Sequence, residues 1–181
     1  LVILVGPAVR LSEFVSASDK RYQAIIRMGA STDTFDADGR FVKPPVDALD
    51  ITEEQFEEKL KIFVGEITQT PPPYSAIKVN GRRAYDMARK GEVVELAPRT
   101  INVYSLEMLE WAPPEAVVDV HCSSGTYVRS LANDLGEALG CGGYLIGLRR
   151  TKSGSRIACR RHAAAWHTED RRMMQLGAGR G

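Results

Sequence analysis

The sequence predicts an α+β fold in which a mostly antiparallel sheet is flanked by helices. Strand-like and helix-like stretches are mixed along the chain without the regular alternation of a parallel sheet. Two strand-like stretches, 100–111 and 115–124, are joined across Ala112-Pro113-Pro114, which favours an antiparallel hairpin. At 181 residues, 44% of them hydrophobic and 26% charged, the chain is long enough for one domain with a substantial core.

The chain opens with an apolar run at 1–6 that is typical of a buried strand. The run is too short to span a membrane, and no basic region precedes it as in a signal peptide. Because this strand-like run starts the chain and Met does not, we expect that residues precede Leu1 in the natural protein. A short helix or extended segment follows at 7–15.

The next stretch, 20–28, alternates between two faces and predicts a strand. One face carries Tyr22, Ala24, Ile26 and Met28, and the other carries Arg21, Gln23, Ile25 and Arg27. A turn region is predicted at 29–39. Its acidic residues lack the spacing of a calcium-binding loop, so we interpret the segment as a turn between strands.

Residues 52–65 have the pattern of an amphipathic helix. Thr52 and Gln55 form a capping box, Phe56, Leu60 and Phe63 face inward, and Gly65 ends the helix.

The second half of the chain predicts an extended segment from 71, a turn at Asn80-Gly81 and a short helix that closes near Gly91. A further helix begins near Thr126, with Val128, Leu131, Leu135 and Leu139 at helical spacing. The segment 141–155 is rich in glycine and then basic, and we assign it no regular element.

The end of the chain differs in charge and pattern from the rest. Residues 1–148 hold 15 Lys and Arg against 21 Asp and Glu, whereas residues 149–181 hold nine against two. We therefore divide the chain into a domain at 1–154 and a basic, low-pattern tail at 155–181. The tail is typical of disorder or of a segment not native to the domain, and a basic RNA-binding arm is the alternative.

Several classes of site are disfavoured by the sequence. Cys122, Cys141 and Cys159 lack the paired spacing of a zinc site and do not form a disulfide framework, which fits a reducing cytosol. The three histidines lack a metal-binding pattern, and no glycine-rich phosphate loop is present. Metalloenzyme and nucleotide-binding readings are accordingly weak.

Arg129 stands out because it lies at the seam between a strand and a helix. An unpaired buried charge at such a seam would cost several kcal/mol. We therefore expect Arg129 to have a carboxylate partner.

Three segments in order resemble the TruB family of tRNA pseudouridine synthases. They read SDKRYQAIIRMGASTDTFDADG, then PPPYSAIKVNGRRAYDMARKGE, then HCSSGTYVRSLANDLGEALGCGGYLIGLRRTKSG. The resemblance covers about residues 1–154. It implies the catalytic-domain fold of a pseudouridine synthase, acting without cofactor or metal on a uridine in the T-arm of tRNA, as a monomer in the cytoplasm and not at a membrane.

The resemblance also assigns roles to individual residues. Tyr22, in the family's K-x-Y motif, would stack on the flipped base and help to remove the proton from C5. Arg129 would form a salt bridge with the catalytic aspartate and keep it ionised. The expected substrate-binding residues are Tyr127 at the uridine pocket, Leu148 as an apolar wall, and Lys20, Arg149 and Arg150 at phosphates.

Several of these residues, but not Arg129, have an ordinary structural alternative. Without the resemblance, Tyr22 would be a half-buried strand aromatic, Tyr127 a packing residue at a helix start, and Leu148 part of the core. Five basic residues would be solvated surface charges: Lys20, Arg21, Lys78, Arg82 and Arg83.

The family's nucleophilic aspartate belongs to a motif, G-H-x-G-T-L-D-P-x-A-x-G, that lies just upstream of the strand resembling 1–6 and has no match in this sequence. We expect an N-terminally incomplete chain that is inactive as given and in which the partner of Arg129 lies before Leu1. We also expect the chain to lack the small C-terminal RNA-binding domain that many members of the family carry. The alternative function is a non-catalytic RNA-binding or RNA-folding protein that uses the same groove.

Overall fold

A computed structural model describes residues 3–42, 44–47, 50–79, 81–154 and 156–157. Its main element is a sheet of six strands. They are β1 (Lys20–Met28), β2 (Gly65–Gln69), β5 (Arg99–Ala112), β6 (Glu115–Cys122), β7 (Gly143–Ser153) and β8 (Arg156–Ile157). Their order across the sheet is β2-β5-β6-β1-β7-β8, with every neighbouring pair antiparallel. The predicted α+β class with an antiparallel sheet is confirmed.

Four α-helices and a small hairpin complete the described architecture. A 3₁₀ turn at Gly6–Leu11 leads into α1 (Ser12–Ala17), followed along the chain by α2 (Glu53–Ile62), α3 (Ala84–Ala88) and α4 (Val128–Ala138). The hairpin pairs β3 (Lys78–Val79) with β4 (Arg82–Arg83). Within the described ranges, no helix is both long enough and apolar enough to cross a membrane.

The core lies on one face of the sheet, under α2 and α4. The strand predicted at 20–28 is confirmed, and its Tyr22, Ala24, Ile26 and Met28 face is the buried one, since all four residues are at least 92% buried. Helix α4 packs on β7 and β1, and α2 packs on β5. The capping box of α2 forms as predicted, and Phe56 of that helix is fully buried against Trp111, with the ring centroids 5.1 Å apart.

The other face of β1 carries polar side chains that bridge to β6. Arg21 pairs with Asp119 at 2.5 Å and Arg27 with Glu115 at 3.4 Å. Because side chains alternate along a strand, the ion pairs lie on one face of the sheet while Tyr22 lies on the other. By the same alternation, Lys20 lies on the face of Tyr22 and is separated from Arg21 and Arg27.

The strand predicted for residues 1–6 is wrong over the residues that the structure describes. Residues 3–5 pair with no strand in those ranges, and Ile3 and Val5 are 71% and 77% exposed. Strand β1, the centre of the sheet, already has β6 and β7 as neighbours. The apolar composition of 1–6 predicted a buried strand, but composition does not specify the neighbouring strand with which such a strand would pair.

Three strands of the six-stranded sheet were not predicted from the sequence. Strand β2 begins at Gly65, directly after the helix, and β7 occupies the segment that we left without a regular element. The short β8 lies in the segment predicted to be a low-pattern tail. Glycine normally weakens a strand, which concealed β7. Here a Cβ on Gly143 would lie 2.7 Å from the carbonyl oxygen of Ala132 in α4, so glycine permits the close approach of strand and helix.

The predicted hairpins and helices of the second half are present. Strands β5 and β6 pair as an antiparallel hairpin across 112–115, and α4 buries Val128, Leu131 and Leu135. The predicted turn at Asn80-Gly81 lies between β3 and β4, although Asn80 is outside the described residues. The tail predicted at 155–181 also lies outside them, apart from β8.

A substitution at Gly136 tests how closely α4 packs on the sheet. A Cβ at this position would lie 2.0 Å from the backbone nitrogen of Gly143, and backbone cannot rotate away as a side chain can. We therefore expect Gly136→Ala to lower the free energy of unfolding by at least about 1–3 kcal/mol in urea titrations. The control is Glu137→Ala on the exposed side of the helix, which should change it by no more than about 0.5 kcal/mol. Equal stability of both variants would contradict this packing.

Candidate active site

Arg129 lies in the first turn of α4, and its guanidinium joins three parts of the chain. Nη1 donates to a carboxylate oxygen of Asp36 at 2.6 Å and to the carbonyl oxygen of Thr34 at 3.3 Å. Nη2 donates to the carbonyl oxygen of Tyr74 at 3.0 Å. The side chains of Arg129 and Asp36 are 25% and 22% exposed, so the pair lies at the boundary between the interior and solvent.

The expectation that Arg129 has a carboxylate partner is confirmed, but the partner expected before Leu1 is not the one that the structure shows. Asp36 holds this position, 93 residues away from Arg129 along the chain. The segment 29–39 forms a turn region as predicted, but none of its acids was predicted to belong to the site. The cluster of aspartates was the available signal, yet nothing local in it identifies a distant arginine as its partner.

The Asp36 carboxylate is held in place by its own turn. The oxygen that does not contact Arg129 accepts the hydroxyl of Thr34 at 2.6 Å and the backbone N–H of Asp38 at 3.2 Å. The turn is docked on β7, since the N–H of Leu145 donates to the carbonyl oxygen of Phe35 at 3.0 Å. A carboxylate with three donors is fixed and remains the acceptor for Arg129.

Tyr22 is 8% exposed and lies on the helix-bearing face of β1. Its Cα partner on β7 is Arg150, whose guanidinium carbon lies 5.5 Å from the centroid of the Tyr22 ring. This distance is within the range of a cation–π contact. Burial raises the pKa of the Tyr22 phenol, and the positive charge of Arg150 opposes that rise. At neutral pH the phenol is therefore protonated.

The register separates three neighbouring residues of β7. Leu148 is opposite Ala24 and Arg150 is opposite Tyr22, whereas Arg149 is opposite Gln23. Cross-strand partners project to the same face, so Leu148 and Arg150 share the face of Tyr22 and Arg149 is placed on the other. Leu148 is 43% exposed, which does not fit the alternative that it is simply core. The substrate-binding roles of all three stay predictions.

Lys20 is half-buried and its ammonium group is used by the chain itself. Nζ donates to the carbonyl oxygens of Ser16 at 2.6 Å and Ser18 at 2.5 Å, at the end of α1. Burial lowers the pKa of Lys20, and the nearby charge of Arg150 adds to this effect. These contacts differ from those of a freely solvated lysine, and the predicted contact with a phosphate stays a prediction.

Tyr127 is the N-cap residue of α4, and it is held by two side chains from outside the helix. The amide of Gln69 bonds to the Tyr127 backbone, accepting its N–H at 2.8 Å and donating to its carbonyl oxygen at 3.0 Å. The guanidinium carbon of Arg99 lies 4.7 Å from the centroid of the Tyr127 ring. Neither Gln69 nor Arg99 was predicted from the sequence to belong to the site.

The contacts around Tyr22 and those around Arg129 meet at β7. Tyr22, Leu148 and Arg150 lie along the β1–β7 ladder, and the Asp36 turn that binds Arg129 docks on the same strand at Leu145. The roles that the resemblance assigns to Tyr22, Tyr127, Arg129 and Leu148 would require all four to face one cleft, and this stays a prediction. In the described part of the chain, no three His, Cys, Asp or Glu side chains are grouped so that they could hold a metal ion.

Comparison with family models assigns the chain. Residues 1–128 match the model described as TruB family pseudouridylate synthase, N terminal domain, and residues 129–174 match tRNA pseudouridylate synthase B C-terminal domain. The first match alone spans more than half of the chain, so the chain belongs to the TruB family.

Curated relatives and solved structures agree with this assignment. Proteins named tRNA pseudouridine synthase B from Francisella philomiragia and Francisella tularensis are 47% and 44% identical over 154 residues, which is 85% of this chain and 51% of each relative. The chain thus spans about half the length of these relatives. Among solved structures, one of a Cbf5-Nop10-Gar1 complex matches with a TM-score of 0.61 at 28% identity, over 84% of this chain and 36% of the other. The predicted pseudouridine synthase fold is confirmed.

The ion pair between Arg129 and Asp36 should contribute to the free energy of unfolding through Asp36 itself and not through the net charge of its turn. Asp36→Asn removes the counter-charge of a partly buried guanidinium, so we expect the free energy of unfolding to fall by about 1–3 kcal/mol. Asp38→Asn makes the same change of charge in the same turn at an exposed position and should cost no more than about 0.5 kcal/mol. Urea unfolding of both variants measures the difference. Equal losses would show that the pair contributes nothing beyond the net charge of the turn.

Proposed function

We propose that this chain is part of a tRNA pseudouridine synthase, an isomerase that converts a T-loop uridine of tRNA to pseudouridine. The observation that carries the proposal is the identity of up to 47% over 154 residues to proteins named tRNA pseudouridine synthase B. The residues that the TruB resemblance assigns to the site, at positions 20 to 150, belong to the two segments that match the family models. Because the chain covers about half of those relatives, the activity is proposed for the longer protein of which it would be a part.

The proposed reaction detaches uracil from its ribose and joins it again through C5 instead of nitrogen. A uridine inside a stacked loop is inaccessible, so the base must first be turned out of its stack. The substrate would be the T-arm of tRNA, bound by a monomer in the cytoplasm without cofactor or metal. The name of a second structural neighbour, an H/ACA RNP bound to a substrate RNA containing 2'-deoxyuridine, supports RNA as the class of partner.

Tyr22 would supply an aromatic surface for the flipped base. Its raised pKa works against the phenolate, which is the form that accepts a proton directly. Arg150 works in the opposite direction, because a cation next to the ring favours the phenolate. We therefore propose that the main role of Tyr22 is to stack on the flipped base. Its second role, with Arg150 beside it, would be to help remove the C5 proton.

Arg129 would orient the catalytic carboxylate, as the resemblance implies, and Asp36 would keep the guanidinium in position for this. The guanidinium is already fixed by Asp36, Thr34 and Tyr74, so little side-chain freedom is left to lose when a second carboxylate arrives. The G-T-L-D motif that would carry this carboxylate is not in the sequence. We accordingly propose that the chain as given is inactive.

A non-catalytic RNA-binding role is the second candidate, and one feature favours it. A cleft of about 620 Å³ beside the β3–β4 hairpin is lined by Lys78, Arg82, Arg83, Arg89 and Lys90. Tyr85 lies among them, with the guanidinium carbons of Arg83 and Arg89 at 5.9 and 5.5 Å from its ring centroid. Cations around an aromatic ring suit a single-stranded nucleic acid without requiring any chemistry.

The two candidates differ in what an upstream extension does. The chain as given should release no tritium from a tRNA transcript labelled at C5 of uridine, because the nucleophile is absent. A chain extended before Leu1 with the family's G-T-L-D segment should release it, and the same extension with Asn in place of that aspartate should not. Release by the unextended chain would refute our assignment of the nucleophile. Binding without release by the extended chain would favour the RNA-binding candidate.

Tyr22→Phe separates stacking from proton transfer. In the extended chain we expect the rate of tritium release to fall by roughly 10²-fold or more, while Kd for the transcript stays nearly unchanged, because the ring remains and the hydroxyl is lost. Tyr104→Phe on the exposed part of β5 is the matched control and should retain the rate. If rate and affinity fell together in Tyr22→Phe, the hydroxyl would have no separate part in the chemistry.

A further inference from the structure

Gln69 is a polar residue in a place where an apolar one would be ordinary. It ends β2, is 1% exposed, and is among the largest fully buried side chains of the described residues. Burying an amide is unfavourable unless its groups are hydrogen-bonded. Both of its hydrogen bonds are made to a single residue, through the N–H and the carbonyl oxygen of Tyr127.

This contact fixes the backbone of Tyr127 as a neighbouring strand would. Tyr127 is extended, at φ −97° and ψ 107°, and as the N-cap of α4 it makes no capping bond with its own side chain. Helix starts are usually satisfied by Ser, Thr, Asp or Asn at this position. Here the chain has a tyrosine instead and orients it with an amide from another element.

Arg99 acts on the ring of the same tyrosine. It is the cross-strand partner of Gln69 in the β2–β5 ladder, so the two side chains come from one rung. Its guanidinium lies over the Tyr127 ring and also donates to the carbonyl oxygen of Gly125, while its Nε is buried without a hydrogen-bond partner among the described residues. Arg99 is thus held by the ring of Tyr127 and by the backbone just before it, and both contacts lie at the start of α4.

We propose that Gln69 and Arg99 are positioning residues that together set the place and orientation of Tyr127, and hence the recognition of the target uridine. Gln69 fixes the backbone and Arg99 fixes the ring. This inference rests on the proposed function, in which Tyr127 lines the uridine pocket. It adds a source of specificity two residues before Arg129 that does not depend on the nucleophile, so it can be measured with the chain as given.

The test compares two T-arm stem-loop RNAs, one with the target uridine and one with an abasic nucleotide at that position. Fluorescence anisotropy gives Kd for each, and their ratio reports the contribution of the base. Phosphate contacts are the same in both RNAs and cancel in the ratio. Exchange of the Tyr127 amide hydrogen in the free protein gives a second readout that involves no RNA.

We expect the unmodified chain to bind the uridine RNA more tightly than the abasic RNA. Gln69→Met keeps the volume but removes both hydrogen bonds, so exchange at Tyr127 should accelerate and the ratio should fall towards one. Arg99→Met should lower the ratio with less effect on exchange, and it serves as a second variant if Gln69→Met does not fold. In both variants, binding to the abasic RNA should change less than binding to the uridine RNA.

Ser130→Ala is the matched control. The hydroxyl of this fully buried residue donates to the carbonyl oxygen of Thr70 at 2.8 Å, so it links the same two segments without touching Tyr127. It should lower Tm and leave the ratio unchanged. A ratio preserved in Gln69→Met and Arg99→Met, or lost equally in Ser130→Ala, would overturn the positioning role. A ratio of one in the unmodified chain would instead contradict the uridine pocket itself, and with it the proposed function.

Discussion

The ion pair between Arg129 and Asp36 is the contact on which the geometry of the site depends. It connects the first turn of α4 to a turn that is docked on β7, and the same guanidinium binds the carbonyl oxygen of Tyr74 in the segment after β2. Two loops that are distant in sequence are thereby held to the first turn of one helix by a single cation. Loops are otherwise the mobile part of a fold, so a shared charged group is an effective way to make them a rigid site.

The sheet separates neighbouring side chains onto two faces, which loops do not do in a regular way. Side chains alternate between faces, so β1 gives its Arg21 and Arg27 to cross-strand ion pairs on one face and its Tyr22 to the other. The same alternation on β7 places Arg150 over Tyr22 and Arg149 on the opposite face. Adjacent basic residues in a sequence are therefore not one patch once they lie on a strand.

Sequence reasoning predicted the elements whose signals are local. The alternation of β1, the capping box at Thr52 and the helical spacing of α4 each describe a contact within a few residues, and each is present. It failed where the fold required information from elsewhere. The glycines that concealed β7 are explained by the closeness of α4, and the partner of Arg129 is a carboxylate 93 residues away.

The same limit applies to the site. A motif can indicate that Tyr22, Tyr127 and Arg129 matter, because their neighbours in sequence carry the resemblance. It does not reveal Asp36 or Gln69, whose contacts with these residues arise only when separate segments pack together. Burial is the property that distinguishes Gln69, and burial of a polar side chain is the feature least visible in a sequence.

The two cations near Tyr22, Arg150 and Lys20, are arranged differently from the arginines that form ion pairs. Arg150 and Lys20 are close enough that the charge of Arg150 contributes to lowering the pKa of Lys20, which means that the two cations repel each other in the free protein. In contrast, Arg21, Arg27 and Arg129 are each paired with a carboxylate. An anion that approached Arg150 and Lys20 would relieve their repulsion as well as attract each cation. In the proposed function that anion would be the RNA backbone, and Leu148, two rungs from Arg150 on the same face of the sheet, would offer an apolar, partly exposed side chain to a base.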